Sequence, residues 1–165
     1  MLERYFKKSS ETFAQPFIKF LKIIKVQPNT VSIAGLLVII LGSYFFYLGN
    51  KQLGIILIFI GSAIDGLDGP YAREVGMQTD KGAILDSLID RIGDLIIWSV
   101  VGISYTNNDL ELLSIFTIIV ASNLIPYMRA KSDFYGLINK KGIAARPERV
   151  IFAVLFMFFN FNFIY

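Results

Sequence analysis

Five long apolar runs separated by short polar segments restrict the folds open to this sequence. They cover residues 31–48, 53–69, 82–105, 110–128 and 150–165, and Pro126 interrupts the fourth near its end. A helix of about 20 apolar residues crosses the core of a bilayer and satisfies its own backbone hydrogen bonds there. Hydrophobic residues make up 55% of the 165-residue chain, and its mean hydropathy is +0.58. The sequence predicts an all-α, polytopic integral membrane helix bundle with five visible spans.

Residues 1–27 combine lysines with apolar side chains, and from Pro16 onward the two kinds fall on roughly opposite faces of a helix. Such a helix lies in the membrane interface with its lysines toward anionic headgroups. The segment has no long apolar core or small-residue cleavage site typical of a secretory signal. We predict an amino-terminal juxtamembrane amphipathic helix over 1–27, with a solvated basic tail as the alternative. Residues 28–165 would form the transmembrane domain, with Asn29 or Thr30 capping its first helix.

Lysine and arginine are distributed unevenly between the predicted loops. Segments 1–27, 73–81 and 129–149 hold nearly all of them, whereas the opposite side of the membrane keeps only Lys51. Loops rich in Lys and Arg remain in the cytoplasm. We therefore expect a cytoplasmic amino terminus, and we attribute the net charge of +3 to membrane orientation rather than to nucleic-acid binding.

Residues 65–90 contain the pattern D-x2-D-G-x2-A-R-x8-G-x3-D-x3-D. Side chains three or four residues apart share a helix face. Asp65 and Asp68 can therefore point one way from one helix, and Asp86 and Asp90 from the next. Four carboxylates at membrane depth are very unfavourable unless cations neutralise them. A pair of divalent cations with oxygen ligands is the natural candidate.

The absence of Cys and His narrows the chemistry further. No thiolate metal site or disulfide is possible, and carboxylates remain as candidate general bases. Asp94 continues the i+4 series beyond the pattern, where a salt bridge to Arg91 or Arg73 fits as well as a catalytic role. Asp80 is predicted to cap the third span.

The eight-residue pattern resembles, in every fixed position and spacing, the signature of the CDP-alcohol phosphotransferase family of integral membrane enzymes. The resemblance implies a six-span bundle, generally dimeric, that binds two Mg²⁺ or Mn²⁺ ions at the cytoplasmic side. An acceptor hydroxyl attacks the β-phosphorus of a CDP-linked lipid, and CMP leaves. The implied metal ligands are Asp65, Asp68, Asp86 and Asp90. Asp90 also matches the position that the family uses as general base.

Five residues of the pattern would contact the CDP group: Asp68, Gly69, Ala72, Arg73 and Gly82. The small side chains let the backbone approach the cytidine and pyrophosphate closely. Arg73 offers a planar fork to phosphate oxygens. The lipid part of this substrate would be either diacylglycerol or archaeol, and membrane lipids surround the enzyme.

Two basic segments are similar to those of phosphatidylinositol phosphate synthases and their archaeal counterparts within the family. They are the segment 126–131, P-Y-M-R-A-K, and the segment 142–149, G-I-A-A-R-P-E-R. The resemblance implies an inositol 1-phosphate acceptor whose phosphate is held by Arg129, Lys131, Arg146 and Arg149. Ala145 replaces a usual Glu, and Lys131 stands where Arg is common. Glycerol 3-phosphate and then serine are the alternative acceptors.

Two other classes place carboxylates in or near membranes. A cation transporter has acidic residues within its spans but does not need D-G-x2-A-R or a paired set of loop arginines. A membrane prenyltransferase also binds metal through aspartates, normally in motifs with Asn-Asp pairs on separated helices. Binding of a CDP-lipid with release of CMP would distinguish the predicted enzyme from both.

Overall fold

The structure is a computed structural model that describes residues 14–137 and 146–163. Residues 1–13 of the predicted amphipathic segment and residues 142–145 of the second basic segment lie outside the described residues. Within these ranges the chain forms seven helices and no strand. They are α1 (14–24), α2 (Pro28–Tyr47), α3 (Lys51–Asp65), α4 (Asp68–Val75), α5 (Asp80–Tyr105), α6 (Asp109–Phe134) and α7 (Arg146–Phe163). The predicted all-α architecture is confirmed.

Three stretches of the described chain are long and apolar enough to cross a membrane: Pro28–Tyr47, Lys51–Val75 and Asp109–Phe134. The other two predicted spans correspond to α5 and α7. Their charged residues lie between Asp80 and Asp94 in α5 and between Arg146 and Arg149 in α7, and this reduces the apolar length of each. These two helices also bring charged side chains to one end of the bundle.

The second predicted span is broken between the two aspartates that it was expected to carry together. α3 ends at Asp65, Gly66 and Leu67 form a turn, and α4 begins at Asp68. Pro70 explains the break, because its nitrogen cannot donate to the Gly66 carbonyl and its ring would clash with that group in a continuous helix. In the first turn of α4 a proline is tolerated. The prediction of a single helix for this aspartate pair is therefore wrong.

Helix boundaries differ from the predictions at two capping sites. Gln27 is the N-cap of α2 and makes no side-chain capping bond, because Pro28 occupies the first turn and supplies helical geometry there. Asn29 and Thr30 consequently do not cap this helix. α5 is capped by Thr79, whose hydroxyl accepts a 3.0 Å hydrogen bond from the Gly82 N–H, rather than by Asp80.

Pro126 was expected to interrupt the fourth span, but it does not. α6 continues through it to Phe134. Membrane helices tolerate proline where neighbouring groups satisfy the backbone carbonyl that it leaves without a donor. Arg129 and Lys131 therefore lie on a helix and not in a loop.

A buried apolar cluster joins α2, α3, α5, α6 and α7. Its most deeply buried members are Ile39, Phe46, Ile58, Ile97, Val101 and Met157. α2 contacts both α3 and α5, and α7 also packs against α3 and α5. The first turns of α5 and α7 are thus held near the end of α3, where the acidic pattern begins.

Glycines let α2 and α3 pack with their backbones in contact. A Cβ atom added to Gly35 would lie 2.7 Å from the Asp65 Cβ and 2.8 Å from the Gly61 carbonyl oxygen. Further along, a Cβ on Gly42 would lie 2.7 Å from the Ile58 nitrogen. Close approach through small residues is typical of helix pairs in membranes. The position of Asp65 is therefore set directly by α2.

The described part of α1 packs on α4. Ala14 and Ile18 are buried in a small cluster with Tyr71 of α4. The Tyr71 hydroxyl donates a 2.7 Å hydrogen bond to the Val26 carbonyl, and Lys22 Nζ lies 2.5 Å from Glu74 Oε1. Other large apolar side chains of α1 are exposed, namely Phe17, Phe20, Ile23 and Ile24. This helix has one apolar side against the protein and further apolar side chains directed outward.

Candidate active site

Three of the predicted metal ligands converge although they lie on three helices. Asp65 is the last residue of α3, Asp68 is the first of α4, and Asp86 lies in the second turn of α5. One carboxylate oxygen from each lies within 4.8 Å of the other two. Asp65 and Asp68 are 1% and 7% exposed, and Asp86 is half-buried. Hard oxygen donors in such a cluster suit Mg²⁺ or Mn²⁺, so this group could hold a metal ion.

Asp68 is held by hydrogen bonds at both carboxylate oxygens. The Ser32 hydroxyl of α2 donates to Oδ2, and the Gly69 backbone N–H donates to Oδ1. Ser32 is itself 2% exposed. The sequence reasoning missed this residue; its only signal was a hydroxyl within an apolar span, four residues after Pro28.

Asp90 lies one turn beyond Asp86 on α5 and outside the three-carboxylate group. It lines a cavity of about 410 Å³ together with all three of those aspartates, and we call this the acidic cavity. Apolar side chains complete its wall, including Phe59 of α3 and Val150 and Ile151 of α7. The acidic cavity therefore places carboxylates beside a surface suited to hydrocarbon.

A second cavity of about 230 Å³ lies between α4 and α5, and we call it the α4–α5 cavity. Its lining includes all five residues predicted to contact the CDP group: Asp68, Gly69, Ala72, Arg73 and Gly82. Asn29, Gln78 and Thr79 also line it, and the sequence reasoning did not identify them. The two cavities share Asp68, Gly69 and Asp86, so one wall serves both.

Gly82 lies where the α4–α5 cavity leaves little room for a side chain. A Cβ at this position would lie 3.0 Å from Thr79 Oγ1 and 3.2 Å from Asn29 Oδ1. Such contacts are tighter than ordinary van der Waals contacts. In contrast, a Cβ on Gly69 would meet its nearest neighbour, Arg73 Nη1, at 3.6 Å, which is an ordinary contact.

The predicted acceptor-binding residues that the structure describes lie on two helices, Arg129 and Lys131 on α6 and Arg149 on α7. Arg129 and Lys131 are exposed in the last turns of α6, and the Lys131 ammonium lies 5.4 Å from the centre of the Tyr135 ring. The Arg149 guanidinium pairs with Asp94 and lines a different cavity of about 330 Å³ between α5, α6 and α7. The Arg146 side chain lies outside the described part of the structure.

Sequence comparison identifies the class of protein that this fold and site define. The profile of the family described as CDP-alcohol phosphatidyltransferase matches residues 25–164. The chain therefore belongs to the CDP-alcohol phosphatidyltransferase family of transferases in phospholipid biosynthesis. The family resemblance carried by the acidic pattern is confirmed, and the apolar spans together with this membership make the chain an integral membrane protein.

Two similar proteins within the family are synthases of inositol phosphate lipids. An archaetidylinositol phosphate synthase from Pyrococcus horikoshii is 33% identical over 144 residues, 86% of this chain and 74% of the relative. A phosphatidylinositol phosphate synthase from Streptomyces avermitilis is 31% identical over 161 residues, 94% of this chain and 66% of the relative.

Solved structures of a third relative have the same fold. The Mycobacterium tuberculosis phosphatidylinositol phosphate synthase in complex with manganese and citrate superposes with a TM-score of 0.74 at 29% identity, covering 86% of this chain and 70% of that chain. A structure of the same relative with CDP-DAG bound gives a TM-score of 0.73. The manganese in that relative agrees with the oxygen-only donor group of Asp65, Asp68 and Asp86.

Proposed function

We propose that this enzyme transfers the phosphatidyl-type group of a CDP-activated lipid to inositol 1-phosphate and releases CMP. One observation carries the proposal: the acidic cavity and the α4–α5 cavity meet at a shared wall of Asp68, Gly69 and Asp86. A CDP-lipid bound there would have its nucleotide in the α4–α5 cavity and its pyrophosphate beside the carboxylates. The names of the relatives support inositol phosphate as the acceptor.

Asp65, Asp68 and Asp86 would hold one divalent ion, and Asp90 would complete the site for a second. When bound, the two ions neutralise charge that develops on the pyrophosphate. The protein contributes by holding the carboxylates that would bind these ions in fixed positions. Two of the carboxylates are almost fully buried, and the Asp68 side chain is oriented from both sides by hydrogen bonds.

Residues of the α4–α5 cavity would bind and orient the nucleotide. Arg73 in α4 supplies a guanidinium for phosphate oxygens. A side chain larger than that of Gly82 would occupy space in this cavity that the nucleotide would need. Orientation of this kind matters because the reacting atoms must be held close together and in line.

Asp90 would act as the general base. Its place in the acidic cavity, one turn from Asp86, allows it to take the proton from an acceptor hydroxyl. The hydroxyl oxygen then forms a bond to the β-phosphorus, and the bond from that phosphorus to the CMP oxygen breaks. The electron pair of this bond leaves with CMP. Neither His nor Cys is present in the chain as an alternative base.

We further propose that Arg129, Lys131, Arg146 and Arg149 bind the acceptor phosphate. Arg149 directly precedes two residues of α7 that line the acidic cavity, Val150 and Ile151. The first turn of α7 would thus bring basic residues beside this cavity. We propose that the active site faces the cytoplasm, that α1 lies in the membrane interface within the segment 1–27, and that the enzyme is a homodimer.

The decisive experiment measures CMP release by the purified protein with Mg²⁺. CDP-diacylglycerol and CDP-archaeol are each tested with inositol 1-phosphate, glycerol 3-phosphate, serine and free inositol. We expect release that requires inositol 1-phosphate. Release with another acceptor would retain the transfer chemistry and overturn the acceptor assignment. Absence of release with every combination would overturn the proposed function, provided that the protein remains folded by circular dichroism.

A further inference from the structure

Ser32 contacts the site from a helix that contributes no metal ligand. It lies in the second turn of α2, buried among apolar residues, and its hydroxyl donates to Asp68 Oδ2. The Pro28 carbonyl, at 3.3 Å, is a longer alternative acceptor for the same hydroxyl. A hydroxyl has one proton to donate, and the ionised carboxylate is the stronger acceptor. The proton is therefore directed to Asp68.

The orientation of the Asp68 carboxylate, like that of Asp86, matters to both cavities. Asp68 belongs to the three-carboxylate group, and it lines the acidic cavity and the α4–α5 cavity alike. Asp68 begins α4, directly after the turn at Gly66 and Leu67, and so does not belong to the helix that ends at Asp65. Hydrogen bonds to its side chain are consequently a principal means of fixing the direction of its oxygens.

The packing of α2 on α3 fixes the position of Ser32 along the helix axis relative to Asp65 and Asp68. Gly35, one turn later on the same helix, lies against the Asp65 backbone and Cβ with no room for a side chain. α2 therefore cannot slide along α3 without a collision. The same helix thus sets the place of Asp65 by backbone contact and the orientation of Asp68 by a hydrogen bond.

We propose that Ser32 is a positioning residue that sets the metal affinity of the site by orienting the Asp68 carboxylate. This inference rests on the proposed metal site. Partners that orient metal ligands typically change metal affinity by about 10- to 100-fold when they are removed. Loss of the Ser32 hydroxyl should therefore weaken metal binding in the absence of any substrate, and not only lower turnover.

The test compares three variants of the purified full chain in detergent. Ser32→Ala removes the hydroxyl, and Ser32→Thr keeps one on the same carbon. Ser43→Ala is the matched control, because Ser43 is also a buried serine of α2 but lines neither the acidic cavity nor the α4–α5 cavity. Binding of Mn²⁺ is measured without substrate from the electron paramagnetic resonance signal of the free ion. The Mg²⁺ concentration for half-maximal CMP release is measured separately.

We expect Ser32→Ala to weaken Mn²⁺ binding by about tenfold or more, and Ser32→Thr and Ser43→Ala to stay within about threefold of the parent protein. The Mg²⁺ requirement of Ser32→Ala should rise in parallel, while kcat at saturating Mg²⁺ changes much less.

Parent-like Mn²⁺ affinity in Ser32→Ala would overturn the inference. Equal losses in Ser32→Ala and Ser43→Ala would also overturn it, because the effect would then be a general loosening of α2. A threonine variant as weak as the alanine variant would show that the hydroxyl is not what matters. If the parent protein itself bound no Mn²⁺, the proposed metal site would fail first.

Discussion

Arg149 of α7 donates two hydrogen bonds to a single carboxylate oxygen of Asp94 in α5, from Nη2 at 2.8 Å and from Nε at 3.0 Å. The two side chains are 13% and 3% exposed, respectively. The sequence had suggested Arg91 or Arg73 as the partner of Asp94, whereas Arg91 donates to the Ser87 carbonyl and hydroxyl one turn earlier. The Asp94–Arg149 pair therefore connects the first turn of α7 to α5, one turn beyond Asp90.

Removing Asp94 should destabilise the fold. Asp94→Ala would leave the partly buried Arg149 guanidinium without this carboxylate. Removing one partner of a fully buried ion pair costs about 3 to 5 kcal/mol, and we expect a smaller loss here. Chemical unfolding in detergent measures the loss. Asp109→Ala, at the exposed start of α6, is the control and should change stability little. A stability of Asp94→Ala equal to that of the control would contradict this account of the pair.

Arg149→Ala separates a structural role of this arginine from acceptor binding. If Arg149 also contacts the acceptor phosphate, the variant should raise the KM for inositol 1-phosphate by about tenfold with a smaller change in kcat. Stability should fall as in Asp94→Ala. Loss of stability with an unchanged KM would restrict Arg149 to the ion pair and remove it from the proposed acceptor site.

Asp90→Asn should abolish most turnover without emptying the site of metal. Loss of a general base lowers kcat by about a hundredfold to ten-thousandfold. Mn²⁺ and CDP-lipid should still bind, because Asp65, Asp68 and Asp86 form their group without Asp90. CMP release and Mn²⁺ titration report the two properties separately, with Asp80→Asn as a control outside both cavities. Normal turnover in Asp90→Asn would refute the base assignment.

Gly82→Ala tests the space in the α4–α5 cavity. The added methyl would press on Thr79 and Asn29 at 3.0 and 3.2 Å, and we expect the KM for the CDP-lipid to rise by about tenfold. Gly102→Ala is the matched control, since Gly102 lies on α5 away from this cavity and a Cβ there would meet Ile115 of α6 at 3.0 Å. The control should affect stability but not this KM. An equal change of KM in both variants would mean that packing of α5, and not the cavity, is responsible.

Gly35→Ala and Gly42→Ala should separate helix packing from the position of Asp65. Both introduce a methyl into the α2–α3 contact, where a Cβ would meet its nearest atom at 2.7 Å. Overpacking of this kind costs about 1 to 3 kcal/mol, and we expect both to lower stability. Only Gly35→Ala presses on Asp65, so only this variant should weaken Mn²⁺ binding, by about tenfold or more. Equal Mn²⁺ affinities in the two variants would argue against this role of α2.

Much of the site could be predicted because its residues are separated by short, fixed intervals along the sequence. The i+4 interval between Asp86 and Asp90 places both on one side of α5, and the fixed spacing of the eight-residue pattern identified the family before any helix was known. The apolar runs likewise predicted the long helices, of which three are long and apolar enough to cross a membrane, since length and hydropathy are properties of the chain itself.

The features that could not be predicted depend on contacts between distant segments. Ser32 meets Asp68 across 36 positions and Arg149 meets Asp94 across 55. Neither pairing has a sequence pattern, because it depends on how far one helix is displaced along another. The break between Asp65 and Asp68 has a local cause, since Pro70 cannot donate to the Gly66 carbonyl, but the i, i+3 spacing of the two aspartates does not reveal it.

The packing of α1 on α4 has a consequence for how substrate reaches the enzyme. α4 begins with Asp68 and carries Arg73, and it is fastened to α1 through Tyr71 and Lys22. If α1 lies in the membrane interface, as we propose, its contacts hold α4 at the depth of the lipid headgroups. A lipid nucleotide could then arrive by lateral diffusion with its tails still in the bilayer. The search for substrate would be two-dimensional, and no lipid would need to be extracted before reaction.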